Sequence, residues 1–268
     1  MKYLHKPKKS LGQNFLIDQN IIKKIINLVD INKNNIVLEI GSGSGNLTKK
    51  ILEKNPKKLF AVEKDKNLFN LLNKIFSNHN NIKILNDDIL NIIKKQNLGD
   101  NIIIFGNLPY NISTQILVSL LLTNEWPPWY QTLILMFQKE VAQRIIAEKN
   151  TKDFGRLSVI SNWRMDIKKH FDITKNCFSP KPKINSSVLS FKPKKENKFK
   201  LKNPKNLEKI TRILFSNRRK MINKKFLLLF KNKSYVADDL NIDLKKRPGE
   251  LSREDYYNIA INYEKLFC

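Results

Sequence analysis

Apolar residues fall along this chain in two rhythms. Short runs, Ile36-Val37-Leu38-Glu39-Ile40, Leu59-Phe60-Ala61-Val62-Glu63, Ile82-Lys83-Ile84-Leu85, Ile102-Ile103-Ile104-Phe105 and Leu133-Ile134-Leu135-Met136-Phe137, have the length and β-branched content of buried strands. Between them apolar residues recur at helical spacing. Asp18 caps a stretch carrying Ile21, Ile22, Ile25, Ile26 and Val29, and Asn46 caps a second helix over 47–53. Leu68, Leu71, Leu72 and Ile75 share a third face, 89–95 form a short helix, and Ser113 starts one over 114–122. Alternating strands and helices predict a parallel α/β sheet. Further on, Gln138-Lys139-Glu140-Val141 leads into a helix ending near Glu148, and another begins over 153–157. A sixth strand is expected over 163–171, and Ser187-Val188-Leu189-Ser190-Phe191 alternates like a seventh. Trp126-Pro127-Pro128-Trp129 predicts a rigid surface loop. Pro180 and Pro182 hold an extended loop that displays Phe178, Lys181 and Lys183.

The pattern changes near residue 195. From Lys192 to Lys233 there are 16 Lys/Arg against 2 Glu, and apolar rows at Ile210, Ile213 and Leu214 and at Phe226, Leu227, Leu229 and Phe230 predict a small helical bundle. The chain thus divides into a first domain over 1–195 and a basic helical domain over 196–268. Within the latter, Arg218-Arg219-Lys220 sits on a helical pattern as a phosphate-binding cluster. Lys and Arg number 50 in all against 24 Asp and Glu, a formal charge of +26, which points to nucleic acid as partner. No run of about 18 apolar residues suggests a membrane span, and the N-terminal Lys2, Lys6, Lys8 and Lys9 read as a basic arm. Cys177, Cys268 and three histidines show no metal-ligand spacing, and a reducing cytoplasm fits.

The candidate chemistry lies at strand ends. Gly41-Ser42-Gly43-Ser44-Gly45 follows the first strand without a gap, so a ligand can approach backbone N–H groups at a helix N-terminus. The spacing is neither that of a dinucleotide loop nor that of a phosphate-binding loop. Glu63 ends the second strand 22 residues after Gly41, where such folds place a carboxylate that accepts ribose hydroxyls. Asp87 and Asp88 close the third strand. Either can cap the next helix, and Asp88 is the choice for accepting a hydrogen bond from an adenine amino group. After the fourth strand, Gly106-Asn107-Leu108-Pro109-Tyr110 offers an amide oxygen on Asn107 and a flat face on Tyr110.

These residues resemble a known family. Gly12-Gln13-Asn14-Phe15-Leu16, the Glu39 to Gly45 segment, Glu63, Asp88, Asn107-Leu108-Pro109-Tyr110, Gln138-Lys139-Glu140, Phe154-Gly155-Arg156-Leu157-Ser158 and Phe178-Ser179-Pro180-Lys181-Pro182 occur in the order seen in rRNA adenine N6,N6-dimethyltransferases. The resemblance is strongest to the bacterial small-subunit type, which modifies two adjacent adenines near the 3′ end of 16S rRNA. It extends to Asn217-Arg218-Arg219-Lys220 and Arg247-Pro248-Gly249-Glu250-Leu251-Ser252, and departs at Ser42, where the family usually has Pro. It implies a Rossmann-like seven-stranded methyltransferase sheet that uses S-adenosylmethionine (SAM), with a small helical C-terminal domain. Asn14 and Leu16 would cover SAM, Gly41 would back its methionine part, Glu63 would take the ribose and Asp88 the adenine. Asn107 would bridge cofactor and target, Asn107 and Leu108 would accept the target N–H bonds, and Tyr110 and Phe178 would stack on the extruded base. Lys181, Arg218, Arg219 and Lys220 would bind RNA. The implied partner is 16S rRNA in the 30S subunit or its precursor, with the protein a cytoplasmic monomer and no metal required. The 23S rRNA dimethyltransferases share the loop but commonly have Ile where Leu108 stands. A non-catalytic nucleic-acid-binding relative is a second alternative, and a DNA adenine methyltransferase, whose loop usually carries two prolines before the Tyr, a third.

Overall fold

The computed structural model describes Lys8, residues 12–95 and residues 98–268. Of the basic arm, Lys2, Lys6 and Lys9 lie outside the described residues, as does Leu11. The chain forms two compact units that are not contiguous in sequence. The first takes the chain up to Ser119, Pro127–Ala142 and Lys168–Lys192. The second takes Leu120–Trp126, Gln143–Ile167 and Pro193–Cys268. The composition change near 195 therefore marks only the last crossing into the second unit, because two earlier segments of ordinary composition belong to it as well.

The strands are β1 (Phe15–Leu16), β2 (Ile36–Ile40), β3 (Lys58–Val62), β4 (Ile82–Leu85), β5 (Ile102–Asn107), β6 (Tyr130–Gln138), β7 (Met165–Ile173), β8 (Phe178–Ser179) and β9 (Ser186–Pro193). Seven form one sheet in the order β4-β3-β2-β5-β6-β9-β7, while β1 and β8 make a separate antiparallel pair. The five from β4 to β6 are parallel and β9 runs antiparallel to β6. The chain builds outward from β2 to β4 and then returns to β5 on the other side of β2. That reversal is the point at which open parallel sheets bind ligands. The predicted strands are all present. The sixth begins later than expected, because Trp163 and Arg164 close a helix and β7 starts only at Met165.

Local chemistry sets the helices of the first unit. Asp18 caps α1 (Gln19–Ile26), its Oδ1 accepting from the N–H groups of Asn20 and Ile21, and the helix buries Ile22, Ile25 and Ile26. Val29 falls beyond its end. Asp65 caps α3 (Lys66–Ile75), which buries Leu68 and Leu72 but leaves Ile75 49% exposed. At α2 (Asn46–Leu52) the expected Asn46 cap is absent. Gly45 precedes the helix with φ +79°, and a Cβ there would meet Phe76 at 2.9 Å, so only glycine fits. Asn46 instead donates to the Leu16 carbonyl at 2.8 Å. The helices α4 (Ile89–Lys95), α5 (Ser113–Leu121) and α6 (Lys139–Ile146) follow as the pattern predicts. Trp129 does not lie on the surface. It is 7% exposed and packs edge-on to Tyr130.

The second unit packs α7 (Arg156–Arg164), α8 (Lys205–Leu214), α9 (Asn223–Leu229), α10 (Tyr235–Asp239) and α11 (Arg253–Phe267) around Trp163, Ile210, Phe226, Phe230 and Tyr256. A buried carboxylate fastens two of its helices. Glu264 of α11 accepts from the N–H groups of Lys202 and Asn203 and from the Asn206 side chain, next to the start of α8. Among the described residues no helix is long and apolar enough to cross a membrane.

One acid in the first unit has a stability consequence. Glu39 of β2 is 2% exposed and takes a hydrogen bond from the Thr48 hydroxyl. Burial pushes its carboxyl up to about 7, against the opposing pull of the Thr48 and Ser42 hydroxyls and with the Glu63 charge adding to the rise. The folded chain then keeps a proton that the unfolded chain releases, so stability falls as pH rises from about 4.5 to about 7. Glu39→Gln should remove that loss, which is at most about 3 kcal/mol. Denaturant melts of both proteins across this pH range check it, and a stability difference that does not vary with pH would show that Glu39 titrates normally.

Candidate active site

Strand register assembles the site. Ile40 pairs with Val62 and with Gly106, and Val62 pairs with Leu85. These four positions lie in one row across the sheet, and the residues that follow them are Gly41, Glu63, Asn86 and Asn107. Parallel strands deliver the next residue of each to the same edge, so the glycine loop, the acid and the loop after β5 converge without being neighbours in sequence. A cavity opens at that edge, lined by Gly41, Gly43, Glu63, Asp88 and Asn107 and by the segment 12–15.

Glu63 is 7% exposed. Its Oε2 accepts from the Gly43 N–H at 2.9 Å and its Oε1 from the Asp65 N–H at 2.8 Å. The carboxylate thus ties the glycine loop to the end of β3. Burial raises its pKa, and the two N–H groups work against that rise. Each oxygen keeps a further lone pair for a hydroxyl donor. Asp88 has one oxygen on the Leu90 N–H at 2.9 Å and the other on the Lys64 ammonium at 2.8 Å. Partial burial pushes its carboxyl up, but Lys64 and Leu90 outweigh this and hold it below the usual range. Asp88 therefore caps α4 and lines the cavity as an ionised acceptor, so the two readings of this residue are compatible.

The loop after β5 is held by its own turn and by two distant partners. The Ile112 N–H closes on the Pro109 carbonyl and the Ser113 hydroxyl donates to the Tyr110 carbonyl. Asn107 donates its Nδ2 to the Asn14 carbonyl at 2.8 Å. Only the NH2 end of an amide can make that bond, so the orientation is settled and the Oδ1 is left as an acceptor. The Tyr110 hydroxyl shares a 2.6 Å hydrogen bond with Ser186. Asn14 belongs to a strap over residues 12–15. The strap is latched by the Lys8–Asp65 ion pair at 2.8 Å and the Lys8 N–H to Gln13 bond. Phe15 closes against Gly43, where a Cβ would lie 2.7 Å from its ring, so glycine is required for the strap to sit down.

The structure brings Asn14, Gly41, Glu63, Asp88, Asn107, Leu108 and Tyr110 to one cavity. Leu16 does not line it. Its side chain is 5% exposed in the core, and its carbonyl takes the Asn46 bond. Phe178 is not displayed either. It is 3% exposed, pairs with Leu16 through β8, and packs in the same core, because a ring on a paired strand buries more apolar area inward than outward. Lys181 is exposed as expected. Arg218, Arg219 and Lys220 are exposed but not on an α-helix: they form a turn after a 3-10 segment, Phe215–Asn217. The Arg218 guanidinium donates to the carbonyls of Lys152 and Phe154, so part of it serves the fold. Sequence reasoning missed Asp65, Lys64 and Ser186. Asp65 followed by Lys66-Asn67-Leu68 carried a readable capping signal; the other two are recognisable only by contact.

Known proteins agree with this architecture. The profile of the family described as ribosomal RNA adenine dimethylase matches residues 4–265. The chain is 53% identical over 261 residues to the ribosomal RNA small subunit methyltransferase A of Pelagibacter ubique, covering 97% of this chain and 98% of that protein. Among solved structures, a dimethyladenosine transferase from Plasmodium falciparum superposes with TM-score 0.77 at 26% identity, over 94% of this chain and 98% of that one. The 23S rRNA methyltransferase ErmE superposes with TM-score 0.66 at 21% identity, over 93% and 99%, a likeness of fold.

Glu63→Ala removes the buried carboxylate that lines the cavity while leaving the loop after β5 intact. Hydrogen bonds to a charged group contribute about 1.5–3 kcal/mol, so SAM affinity should fall roughly 10- to 100-fold. Calorimetric titration with SAM measures it, and an unchanged affinity would remove Glu63 from the cofactor site.

Proposed function

This chain belongs to the ribosomal RNA adenine dimethylase family, and we propose that it transfers methyl groups from SAM to N6 of two adjacent adenines near the 3′ end of 16S rRNA. The substrate would be the 30S subunit or its precursor, met in the cytoplasm where subunits assemble.

The observation that carries the reading is the oriented amide of Asn107 in a cavity that also holds Glu63 and Asp88. The donor and acceptor set suits SAM. Glu63 has lone pairs for the ribose hydroxyls, ionised Asp88 suits an adenine amino group, and Gly41 leaves room for the methionine part. Bound there, SAM supplies a methyl group already activated on a sulfonium. Asn14 would contribute through the strap, which Leu16 anchors from the core behind it.

The chain's own residues act on the target. The lone pair of an adenine N6 is delocalised into the ring and is a poor nucleophile in that state. The Asn107 Oδ1 and the Leu108 carbonyl accept the two N–H bonds of N6. Two acceptors on one side favour a pyramidal nitrogen with its lone pair directed at the methyl. This is positioning plus preorganised polarity, without a covalent intermediate. Tyr110 provides the stacking face for an extruded base, at about 1–3 kcal/mol per stacked base. Phe178, buried beside Leu16, supports the strap in this arrangement rather than offering a second face. Lys181, Arg219 and Lys220, all exposed, are the proposed phosphate contacts, with Arg218 partly committed to the fold.

Tritiated-SAM transfer to 30S particles, 23S rRNA and duplex DNA tests the substrate, and label confined to 30S particles is expected. Asn107→Ala should lower the single-turnover rate, with both ligands saturating, by about 10²-fold, the scale of one preorganised hydrogen-bond partner. A variant turning over at the wild-type saturated rate would restrict the loop to binding. Neutralising Arg219 and Lys220 together should weaken 30S binding and lower the slope of log K against log salt by roughly 1.4–1.8, at about 0.7–0.9 per phosphate contact. SAM affinity should not move. An unchanged slope would make these two residues a solvated surface.

A further inference from the structure

The segment from Phe178 to Ser186 attracts attention in sequence for its ring and its lysines, yet Phe178 is turned into the core. What the segment does contribute is a hydroxyl bonded, from behind, to a residue that lines the cavity. Ser186 is the first residue of β9, opposite Gln138 of β6, and is completely buried. Its Oγ lies 2.6 Å from the Tyr110 hydroxyl, across 76 residues of chain.

The backbone on either side of Ser186 is pinned. The Asn185 carbonyl accepts from the Lys139 N–H at 3.0 Å, and its side-chain oxygen accepts from the Lys175 N–H at 3.0 Å. The Ser187 hydroxyl donates to Asp172, which is itself paired with Lys139 and Lys169. Ser186 is therefore a fixed post. Tyr110, by contrast, stands in a loop, half-buried, with its ring reaching the cavity. A tyrosine ring has two free torsions. One end is set by the loop backbone, and the hydrogen bond at the hydroxyl sets the other. Burial also raises the phenol's pKa, which keeps it a neutral donor and acceptor.

We propose that Ser186 is a positioning residue for methyl transfer: its hydroxyl holds the Tyr110 ring in the plane against which the target base stacks. This rests on the N6-methylation reading above. The ring can stack without the tether, but it then tilts, and a base that tilts with it carries N6 away from the acceptors at Asn107 and Leu108. Such a fault appears in the rate of the bound complex rather than in cofactor affinity.

The experiment is a double-mutant cycle with Ser186→Ala, Tyr110→Phe and the pair, using the full chain, tritiated SAM and 30S particles. The single-turnover rate at saturation of both ligands is measured together with SAM affinity. Each single variant should lose about three- to tenfold in rate, the scale of one neutral hydrogen bond, with SAM affinity unchanged. The pair should lose no more than either single, since both remove the same bond. Tyr110→Phe breaks the bond without touching β9, so the idea stays testable if Ser186→Ala folds poorly. A wild-type rate in Tyr110→Phe, or losses that multiply in the pair, would overturn the proposal while leaving the methylation reading standing. Absence of transfer by the unmodified protein to N6 of any rRNA adenine would overturn both.

Discussion

Parallel registration of β2, β3, β4 and β5 is the constraint on which the site depends. Because Ile40, Val62, Leu85 and Gly106 share one row, the residues after them meet at one edge, and a slip by one residue in any pairing would point a different side chain there. The core enforces the register. Ile102, Ile103, Ile104 and Phe105 are wholly buried, so a shift would strand apolar groups and unpair backbone donors at once. The cavity's edge is thus fixed by packing along the strands that lead to it.

On this frame the strap and the Asn107 amide are mechanically joined. The Asn107 amide is oriented by a carbonyl of the strap, 93 residues earlier in the chain. The strap in turn is latched to Asp65, whose neighbour two residues back is Glu63. Asp65 also caps α3 through Asn67 and Leu68. One short stretch after β3 therefore binds the glycine loop, starts a helix and closes the strap. With the strap in place, Asn107 presents its oxygen.

The charge distribution follows a similar economy of place. The chain carries a formal +26, and the acids it buries are Glu63 in the cavity, Glu39 and Asp65 close by on β2 and after β3, and Glu264 beneath the start of α8. Each is hydrogen-bonded, as burial of a carboxylate requires. The excess of lysine and arginine lies in the basic segment after residue 192 and elsewhere on the surface, where a polyanion can reach it. Within that segment exposure alone does not free a charge, since Arg218 is exposed yet holds the 152–154 turn by two hydrogen bonds.

By itself the sequence determined the strand and helix order, the caps at Asp18 and the turn after β5, and the positions of Gly41, Glu63, Asp88 and Asn107. These are legible because hydrophobic period, glycine spacing and strand-end polarity act over a few residues. Tertiary structure decided the rest. The amide orientation of Asn107, the Tyr110–Ser186 bond and the Lys64–Asp88 pair join residues 24 to 93 positions apart, and no local pattern encodes which partner is met. Phe178 and Trp129 went inward for the same reason: prolines beside an aromatic ring specify an extended backbone, but which face is buried depends on the strand it pairs with. Gly45 took the helix start from Asn46 because the neighbouring Phe76 and Leu72 leave no room for a Cβ. The second unit drew in residues 120–126 and 143–167 because apolar faces in ordinary-looking segments found their matching core there, a choice that only three-dimensional packing can make.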